Sequence, residues 1–523
     1  MNRQLRNVEF GDFQTPVSLA RDICALIART GFQPAAILEP TCGTGAFLQA
    51  ALETFPGVTR ILGFDINPQH ITQARHTITP INPHSPASVE ICQADFFRTD
   101  WTNIVAALPE PLLVIGNPPW VTNTALSTLS STNLPVKSNR DHLRGIDALT
   151  GSSNFDISEW IMREIISWFR DKTGLLAMLC KTTVARKVLK YAWHNGIHSG
   201  TASLYLIDAH THFGAAVDAC LLLVPITPTG TDKVCQVFHS LDAVQPASTF
   251  GLREGILVAD TALPPHWQEL GGNSLKVWRS GIKHDCSNVF ELHVEGDRLV
   301  NGLGTQVDIE PEVLFPLLKS ADLAARRRPQ RWILVPQRAA NDDPNHLKTH
   351  APKAWHYLTA HAHLLNKRKS QIYKNRPRFS IFDVGSYSFA PWKVAISGLY
   401  KKLEFVQVPP YADRPVMLDD TCYFFSCYSA EACNLLYELV TSEPAKAFWS
   451  SRIFWDAKRP ITAHLLNALD LRRLARLLGK EAAVDQLLAE RQIAESTQGA
   501  NQYLLFQNGF AEEETEVPGR EER

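Results

Sequence analysis

Residues 112–122 read LLVIGNPPWVT, an apolar run that stops at Asn117-Pro118-Pro119-Trp120. Two prolines forbid a helix here and cannot donate to a sheet ladder. What remains is a polar amide held at the end of a strand. The Asn117 side-chain oxygen is an acceptor, and so is the Pro118 carbonyl, held by the rigid Pro118-Pro119 pair. Two convergent acceptors fit the two hydrogens of one planar amine. Bonds to both would pull its nitrogen toward tetrahedral geometry and free its lone pair to attack an activated methyl group. Trp120 offers a flat face to a heteroaromatic ring, a contact worth about 1–3 kcal/mol per base. The plainer alternative is a proline-stiffened turn beside a core tryptophan, and the rest of the sequence weighs against it.

A second chemical stretch lies upstream. LEPTCGTGAF follows a short apolar run and opens a helical pattern. Gly43 and Gly45 permit a tight turn and close approach of a ligand to the backbone. Twenty residues after Gly45, Asp65 closes a second apolar run, with Ile66 beyond it in GFDIN. An acid at that distance is placed to bond ribose hydroxyls. Asp95 ends a third run in QADFF, where it could accept from an adenine amino group with Phe96 beside the ring. Alone, a GxG is a turn and each aspartate a helix cap; three in order predict a nucleoside cofactor. The turn lacks the Lys-Ser/Thr pair of a phosphate-binding P-loop. It carries Glu39 ahead of Pro40, Thr41 and Cys42. A carboxylate repels pyrophosphate and suits a cationic amino acid moiety, which favours S-adenosyl-L-methionine over a dinucleotide.

These residues need a scaffold that brings strand ends together. SLARDICALIART, GAFLQAALETF, PQHITQARHTI and SEWIMREIISWFRD carry helical periodicity, while AAILEP, RILGFDIN, SVEICQADFF, PLLVIGNPPW and GLLAMLC are short apolar strands. Such alternation predicts an α/β fold: a parallel sheet covered on both faces. TASLYLIDAH and DACLLLVPIT are expected to finish it in antiparallel fashion. ITPTGTD reads as a linker, so the first domain is expected to span 1–228. A less periodic α+β domain is expected over 229–490 and a disordered charged tail over 491–523. Residues 121–153, rich in Ser, Thr and Asn, read as a long functional loop.

Composition narrows the classes. Of 523 residues 45% are hydrophobic, and the formal net charge is −1. No run approaches the roughly 18 apolar residues of a membrane span, and MNRQLRNVEFGDFQTP lacks a secretory core. Ten scattered cysteines without a CxxC pair fit reduced thiols in the cytoplasm. No histidine spacing suggests a metal site, and none is expected. Between 321 and 415 there are 17 Lys and Arg against 6 Asp and Glu, a local net charge of +11. Arg326, Arg327, Arg328, Lys367, Arg368, Lys369, Lys374, Arg376 and Arg378 are candidate phosphate contacts, with Tyr373, Tyr387, Phe389 and Trp392 interleaved.

Taken together, these motifs resemble the amino-group DNA methyltransferases of restriction–modification systems, and among them the gamma class of adenine-specific enzymes that includes the TaqI methyltransferase. FQTPVSLARDI matches that class's first motif, which puts Thr15 and Pro16 at the cofactor. LEPTCGTGAF, GFDIN and QADFF match the next three, NPPW the catalytic one and NFDISEWI the one after it. THFGAAVDACLLL resembles a later motif whose phenylalanine, here Phe213, packs against the extruded base. Trp120 stands where Tyr or Phe is commoner. The resemblance implies a Rossmann-like S-adenosylmethionine-dependent catalytic domain followed by a target-recognition domain, acting on double-stranded DNA. WRSGIKHDCSNVF and FSIFDVGSYSFAPWKVAISGLYKK resemble segments of such a domain.

An exocyclic amine inside a duplex is paired and stacked, so the base must be flipped out at a cost of a few kcal/mol. Trp120 and Phe213 could offset that cost by stacking, and the 121–153 loop could close over the DNA. The expectation is a monomeric, stand-alone modification enzyme whose cleavage partner, if any, is a separately encoded restriction endonuclease. Cytosine, RNA or a protein glutamine as methyl acceptor, or a DNA-binding relic without activity, are the alternatives.

Overall fold

A computed structural model of the chain describes residues 13–79, 87–120, 156–261, 269–272, 277–374 and 376–508. The expected 121–153 loop falls outside them. The chain forms two compact units, Met1–Leu263 and Pro264–Arg523.

The first unit is built on one ten-stranded sheet. Its strands are β1 (Ala36–Glu39), β2 (Arg60–Asp65), β3 (Ser88–Gln93), β4 (Leu112–Gly116), β5 (Gly174–Lys181), β6 (Ala202–Ile207), β7 (Ala219–Ile226), β8 (Val234–Phe238), β9 (Ser248–Arg253) and β10 (Ile256–Val258). They lie in the order β10-β9-β8-β6-β7-β5-β4-β1-β2-β3. Strands β3, β2, β1, β4 and β5 are parallel, and β7 runs antiparallel between β5 and β6. The helices are α1 (Val17–Arg29), α2 (Ala46–Thr54), α3 (Pro68–Ile78), α4 (Trp101–Ala106), α5 (Ile157–Ser167), α6 (Thr182–His194) and α7 (Ala209–Phe213). This is the expected Rossmann-like fold. Every residue of β1 and β4 is buried, as befits central strands covered on both faces.

Two departures from expectation concern boundaries. The linker-like ITPTGTD does not end the first unit at residue 228, because β8 pairs with β6 and draws β9 and β10 onto the same sheet. The segment expected to be a disordered tail begins inside a helix, Glu481–Asn508.

Chain order fixes where the site must be. After β1 the chain moves to β2 on one side, whereas β4 returns to the other side of β1. The crevice at such a reversal, at the carboxyl ends of the strands, is where open α/β sheets bind ligands. Glu39 ends β1, Asp65 ends β2, and Asn117 follows β4 directly.

The second unit is α+β. It contains a four-stranded sheet, with strands β11 (Arg279–Ser280), β17 (Trp392–Ser397), β18 (Phe405–Val408) and β20 (Cys422–Cys427), and a six-stranded sheet. The six-stranded sheet joins β12 (Glu291–Glu295), β13 (Arg298–Asn301), β14 (Gln306–Val307), β15 (Leu314–Leu318), β16 (Arg331–Leu334) and β19 (Met417–Leu418). Helices α8 (Ala430–Thr441), α9 (Glu443–Ser450) and α10 (Leu471–Leu477) pack on the former through a core that includes Trp278, Phe425, Phe448 and Trp449. Among the described residues no helix is long and apolar enough to cross a membrane. All ten cysteines are free thiols.

Candidate active site

The carboxyl ends of β1, β2, β3 and β4 enclose a cavity of about 410 Å³. Twelve of the residues singled out in the sequence line it: Thr15, Glu39, Pro40, Thr41, Cys42, Gly43, Asp65, Ile66, Asp95, Phe96, Asn117 and Pro119. Pro16, Gly45, Pro118, Trp120 and Phe213 do not.

The glycine turn is held from two sides. Gly43 has φ +51°, and its N–H donates to Asp65 Oδ2 at 2.9 Å. The other carboxylate oxygen, Oδ1, accepts from the Asn67 N–H at 2.8 Å. Asp65 thus orders both the turn and the start of α3 while standing in the cavity wall. On the other side, Gln14 Oε1 accepts from the Thr44 N–H at 3.0 Å. Gly45, at φ +87°, is the N-cap of α2 and works by conformation: a Cβ there would stand 3.0 Å from the Ala74 Cβ of α3.

Three buried polar atoms in this wall have no partner: Glu39 Oε2, Thr41 Oγ1 and Asn117 Oδ1. Leaving such a group unpaired costs about 1–3 kcal/mol, and three around one cavity mark it as built for a polar ligand. Glu39 is 2% exposed. Burial, and secondarily the negative charge of Asp65, push its carboxyl well above the usual carboxylate range. Burial likewise raises the Cys42 thiol, so Cys42 is a wall residue and not a reactive thiolate.

The orientation of Asn117 follows from its neighbours. Its Nδ2 donates to the Phe13 carbonyl at 3.1 Å and to Thr15 Oγ1 at 3.3 Å. A carbonyl can only accept, so the amide nitrogen must face Phe13 and the amide oxygen the other way. The segment Phe13–Thr15 therefore spans from the glycine turn, through Gln14, to the end of β4, through Phe13 and Thr15. Sequence reasoning found Thr15 but missed Phe13 and Gln14, although both stand in the FQTP motif. It also missed Ile157 and Ile161 of α5, which line the cavity and belong to a motif it did identify.

On the adenine-expected side, Asp95 Oδ1 accepts from the Phe97 N–H at 2.9 Å. Phe96 is backed by the rings of Trp101 and Trp168, with centroids at 5.2 and 6.0 Å. Trp120 differs from the expectation of an open stacking face. It is 6% exposed, with its ring centroid 5.8 Å from Phe13 and 5.2 Å from Phe213. Two neighbouring rings give the large indole apolar area to bury, and the three form one aromatic cluster.

In the second unit the basic candidates divide. Arg326, Arg327 and Arg328 are exposed and border a groove of about 510 Å³ with Gln407, Tyr411 and Tyr437. Lys367, Lys369, Lys374 and Arg378 are exposed as well. Arg368 and Arg376 are half-buried and tied into the unit. Arg368 donates to the carbonyls of Ser380 (2.7 Å), Leu365 (3.1 Å) and His284 (3.3 Å) and stacks on Tyr373, while Arg376 donates to the Ala340 carbonyl at 2.6 Å. The interleaved aromatics also serve packing: Phe389 is buried against Phe315, and the Tyr373 hydroxyl donates to the Lys283 carbonyl at 3.1 Å.

No family model matches the chain. Among solved structures, the Type IIL restriction-modification enzyme MmeI in complex with DNA gives a TM-score of 0.53 at 13% identity, over 86% of this chain and 64% of that one. This chain thus spans less than two thirds of that enzyme, and the likeness is one of fold. The type IIG restriction endonuclease BpuSI gives a TM-score of 0.34 at 13% identity, over 87% of this chain and 58% of that one. Sequence similarity is far closer to the Type II methyltransferase M.NspV of a Nostoc species, at 40% identity over 480 residues, which cover 91% of this chain and 99% of that protein. Identity of that degree along nearly both whole lengths means that the chain belongs to the Type II methyltransferases of restriction–modification systems.

Proposed function

We propose that this protein methylates the exocyclic amino group of an adenine flipped out of double-stranded DNA, with S-adenosyl-L-methionine as methyl donor, and that it belongs to the gamma class typified by the TaqI methyltransferase. The observation that carries the reading is the unpartnered, buried Asn117 Oδ1 at a cavity that is also lined by a glycine turn held by Asp65.

The cavity's polar groups fit the cofactor. The unpartnered Glu39 Oε2 suits its α-ammonium group, Asp65 suits the ribose hydroxyls, and Asp95 with Phe96 suits the adenine edge and face. The bound cofactor supplies a methyl group on a sulfonium, already a strong electrophile. The chain's part is to position the amine. Asn117 Oδ1 and the Pro118 carbonyl would accept from the two amine hydrogens and so free the nitrogen lone pair for attack. The proton lost from the methylated nitrogen would pass to water, since the amide and peptide oxygens accept hydrogen bonds but do not take up a proton. Phe13 and Phe213, half-buried against the covered Trp120, would offer the apolar surface that replaces base stacking in the duplex.

The exposed basic residues of the second unit, Arg326, Arg327, Arg328, Lys367 and Lys369 among them, would hold the phosphate backbone. The protein acts in the cytoplasm as a monomer, with any cognate endonuclease a separate chain. Sequencing DNA from cells that express the protein, by a method that detects modified bases, tests the whole reading. N6-methyladenine at one short motif is expected. Methylcytosine at that motif would transfer the chemistry to another base, and unmodified DNA would refute the assignment.

A further inference from the structure

Lys181, the last residue of β5, lies outside the cavity and in none of the motifs above. Strand β5 lies beside β4, with Met178 opposite Gly116 at the end of β4, and it continues to Lys181, which pairs with Ala219 of β7, so Lys181 lies level with the Asn117–Trp120 quartet. Its ammonium donates to Asp156 Oδ2 at 2.6 Å and to the Trp120 carbonyl at 3.3 Å. Asp156 is buried, and its other oxygen, Oδ1, caps α5 by accepting from the Ser158 N–H at 3.0 Å and the Ser158 hydroxyl at 2.6 Å. The carboxylate is therefore fixed, and it fixes the lysine.

We propose that Lys181 is a positioning residue for methyl transfer, acting through the backbone of the quartet. The inference rests on the function proposed above. The proline rings already lock two φ angles of the quartet. Phe13 and Thr15 hold its first residue through the Asn117 amide, and Lys181 holds its last through the Trp120 carbonyl. With both ends tied, the Asn117 oxygen and the Pro118 carbonyl keep a fixed separation and direction. The pairing with Asp156 also cancels the lysine's charge, so no net positive charge stands near a cationic methyl donor. Helix α5 has independent anchors: Glu159 accepts from both Arg163 and Lys187 at 2.7 Å, and Ile161, Met162, Ile165 and Ile166 are buried. Loss of Lys181 should thus disturb the quartet and leave the cofactor wall in place.

The test measures tritiated-methyl transfer to plasmid DNA from a strain that makes no methylated bases, together with cofactor Kd by calorimetry, for the full chain and three variants. Lys181→Met should lower kcat by about ten- to hundred-fold, the range expected for misplacement of about 1 Å, with cofactor Kd within about two-fold. Asp156→Asn keeps the helix cap and removes the ion pair, so it should lower kcat in the same way. Lys181→Arg should recover at least about a third of the lost rate. This split separates positioning from a structural role, which would move cofactor Kd or the thermal midpoint instead. An unchanged kcat in Lys181→Met and Asp156→Asn, or a loss confined to cofactor Kd, would overturn the proposal. If Lys181→Met does not fold, the other two variants decide the matter. A wild-type protein that transfers no methyl group to DNA would instead remove the functional reading, and this inference with it.

Discussion

The side-chain amide of Asn117 is bonded to the backbone carbonyl of Phe13, 104 residues earlier in the chain, at 3.1 Å. The bond consumes the amide's donor end and leaves its oxygen as a buried acceptor with no partner. Asn117→Asp keeps the shape and loses both donors, so a carboxylate oxygen would face the Phe13 carbonyl. Removing one preorganised group of this kind costs about 10²–10³ in kcat. Asn117→Asp and Asn117→Ala are both expected to lose methyl transfer by that amount in a tritiated-methyl assay while cofactor binding stays near normal. Retained activity in Asn117→Ala would refute the role given to its oxygen.

Glu39 makes a pH-dependent prediction. Burial raises its carboxyl well above the usual range, so the ionised form is disfavoured in the unliganded fold. A cationic group bound beside it would favour the carboxylate. Binding should therefore release a proton, and affinity should fall as pH drops through the raised value. Calorimetry in buffers of different ionisation enthalpy would detect the proton. Glu39→Gln should weaken S-adenosylmethionine and S-adenosylhomocysteine alike by about 1.5–3 kcal/mol, roughly ten- to hundred-fold in Kd. It should also raise the thermal midpoint of the unliganded protein at neutral pH, because a raised carboxyl lowers stability as pH climbs past its unfolded value. An unchanged affinity would move the ammonium site elsewhere.

The strand-end residues were legible because a parallel sheet gathers its carboxyl ends on one edge. Glu39, Asp65, Asp95 and Asn117 could each be placed from local apolar runs and chain order alone. What escaped were bonds between residues far apart in sequence. Neither Phe13 nor Gln14 has a local pattern that announces a bond to β4 or to the glycine turn. Lys181 follows the apolar run GLLAMLC and looks like its solvated end, because the partner that holds it, Asp156, belongs to another element. Helix α6, Thr182–His194, went unread for the same reason, starting directly from that strand. In the second unit, charge composition marked a basic stretch but could not separate Arg368, bonded to three carbonyls, from the exposed Lys367 and Lys369.

That separation has a consequence for DNA binding. Lys367→Glu with Lys369→Glu should weaken binding and flatten its salt dependence, by about 0.9 in log–log slope for each phosphate that is no longer neutralised. Arg368→Ala should act differently, by leaving the Ser380, Leu365 and His284 carbonyls without a donor. Its signature is a lower thermal midpoint. An unchanged salt slope in the double variant would place the DNA path on another face of the unit.

Gly45 separates conformation from steric crowding. At φ +87° any side chain is strained, and here a Cβ would also press on Ala74. Gly196, at φ +70° with no atom within 4 Å of the same position, bears the conformational strain alone. Strain of this kind costs about 1–3 kcal/mol. Gly45→Ala should therefore lose more stability than Gly196→Ala in urea unfolding, and only Gly45→Ala should weaken cofactor binding, because the turn it shapes carries the Gly43–Asp65 bond. Equal losses would show that α3 yields to the methyl group.

Lys393 of β17 poses the sharpest question about stability. It is 1% exposed, and its ammonium position contacts the Ala390 carbonyl at 2.7 Å and the face of Phe424 at 5.7 Å. Burial lowers its pKa to about 7, far under its value in an unfolded chain. Between those two values the unfolded state binds more protons, so unfolding free energy rises with pH. The penalty is complete below about pH 7, where the lysine is charged even in the fold, and fades as pH approaches the unfolded value. Lys393→Met keeps the volume and removes the charge. It should raise the thermal midpoint of the full chain most at pH 6.5 and least near pH 10, with a gain on the order of a few kcal/mol at the acid end. A gain independent of pH would mean that packing, and not the buried charge, sets the difference.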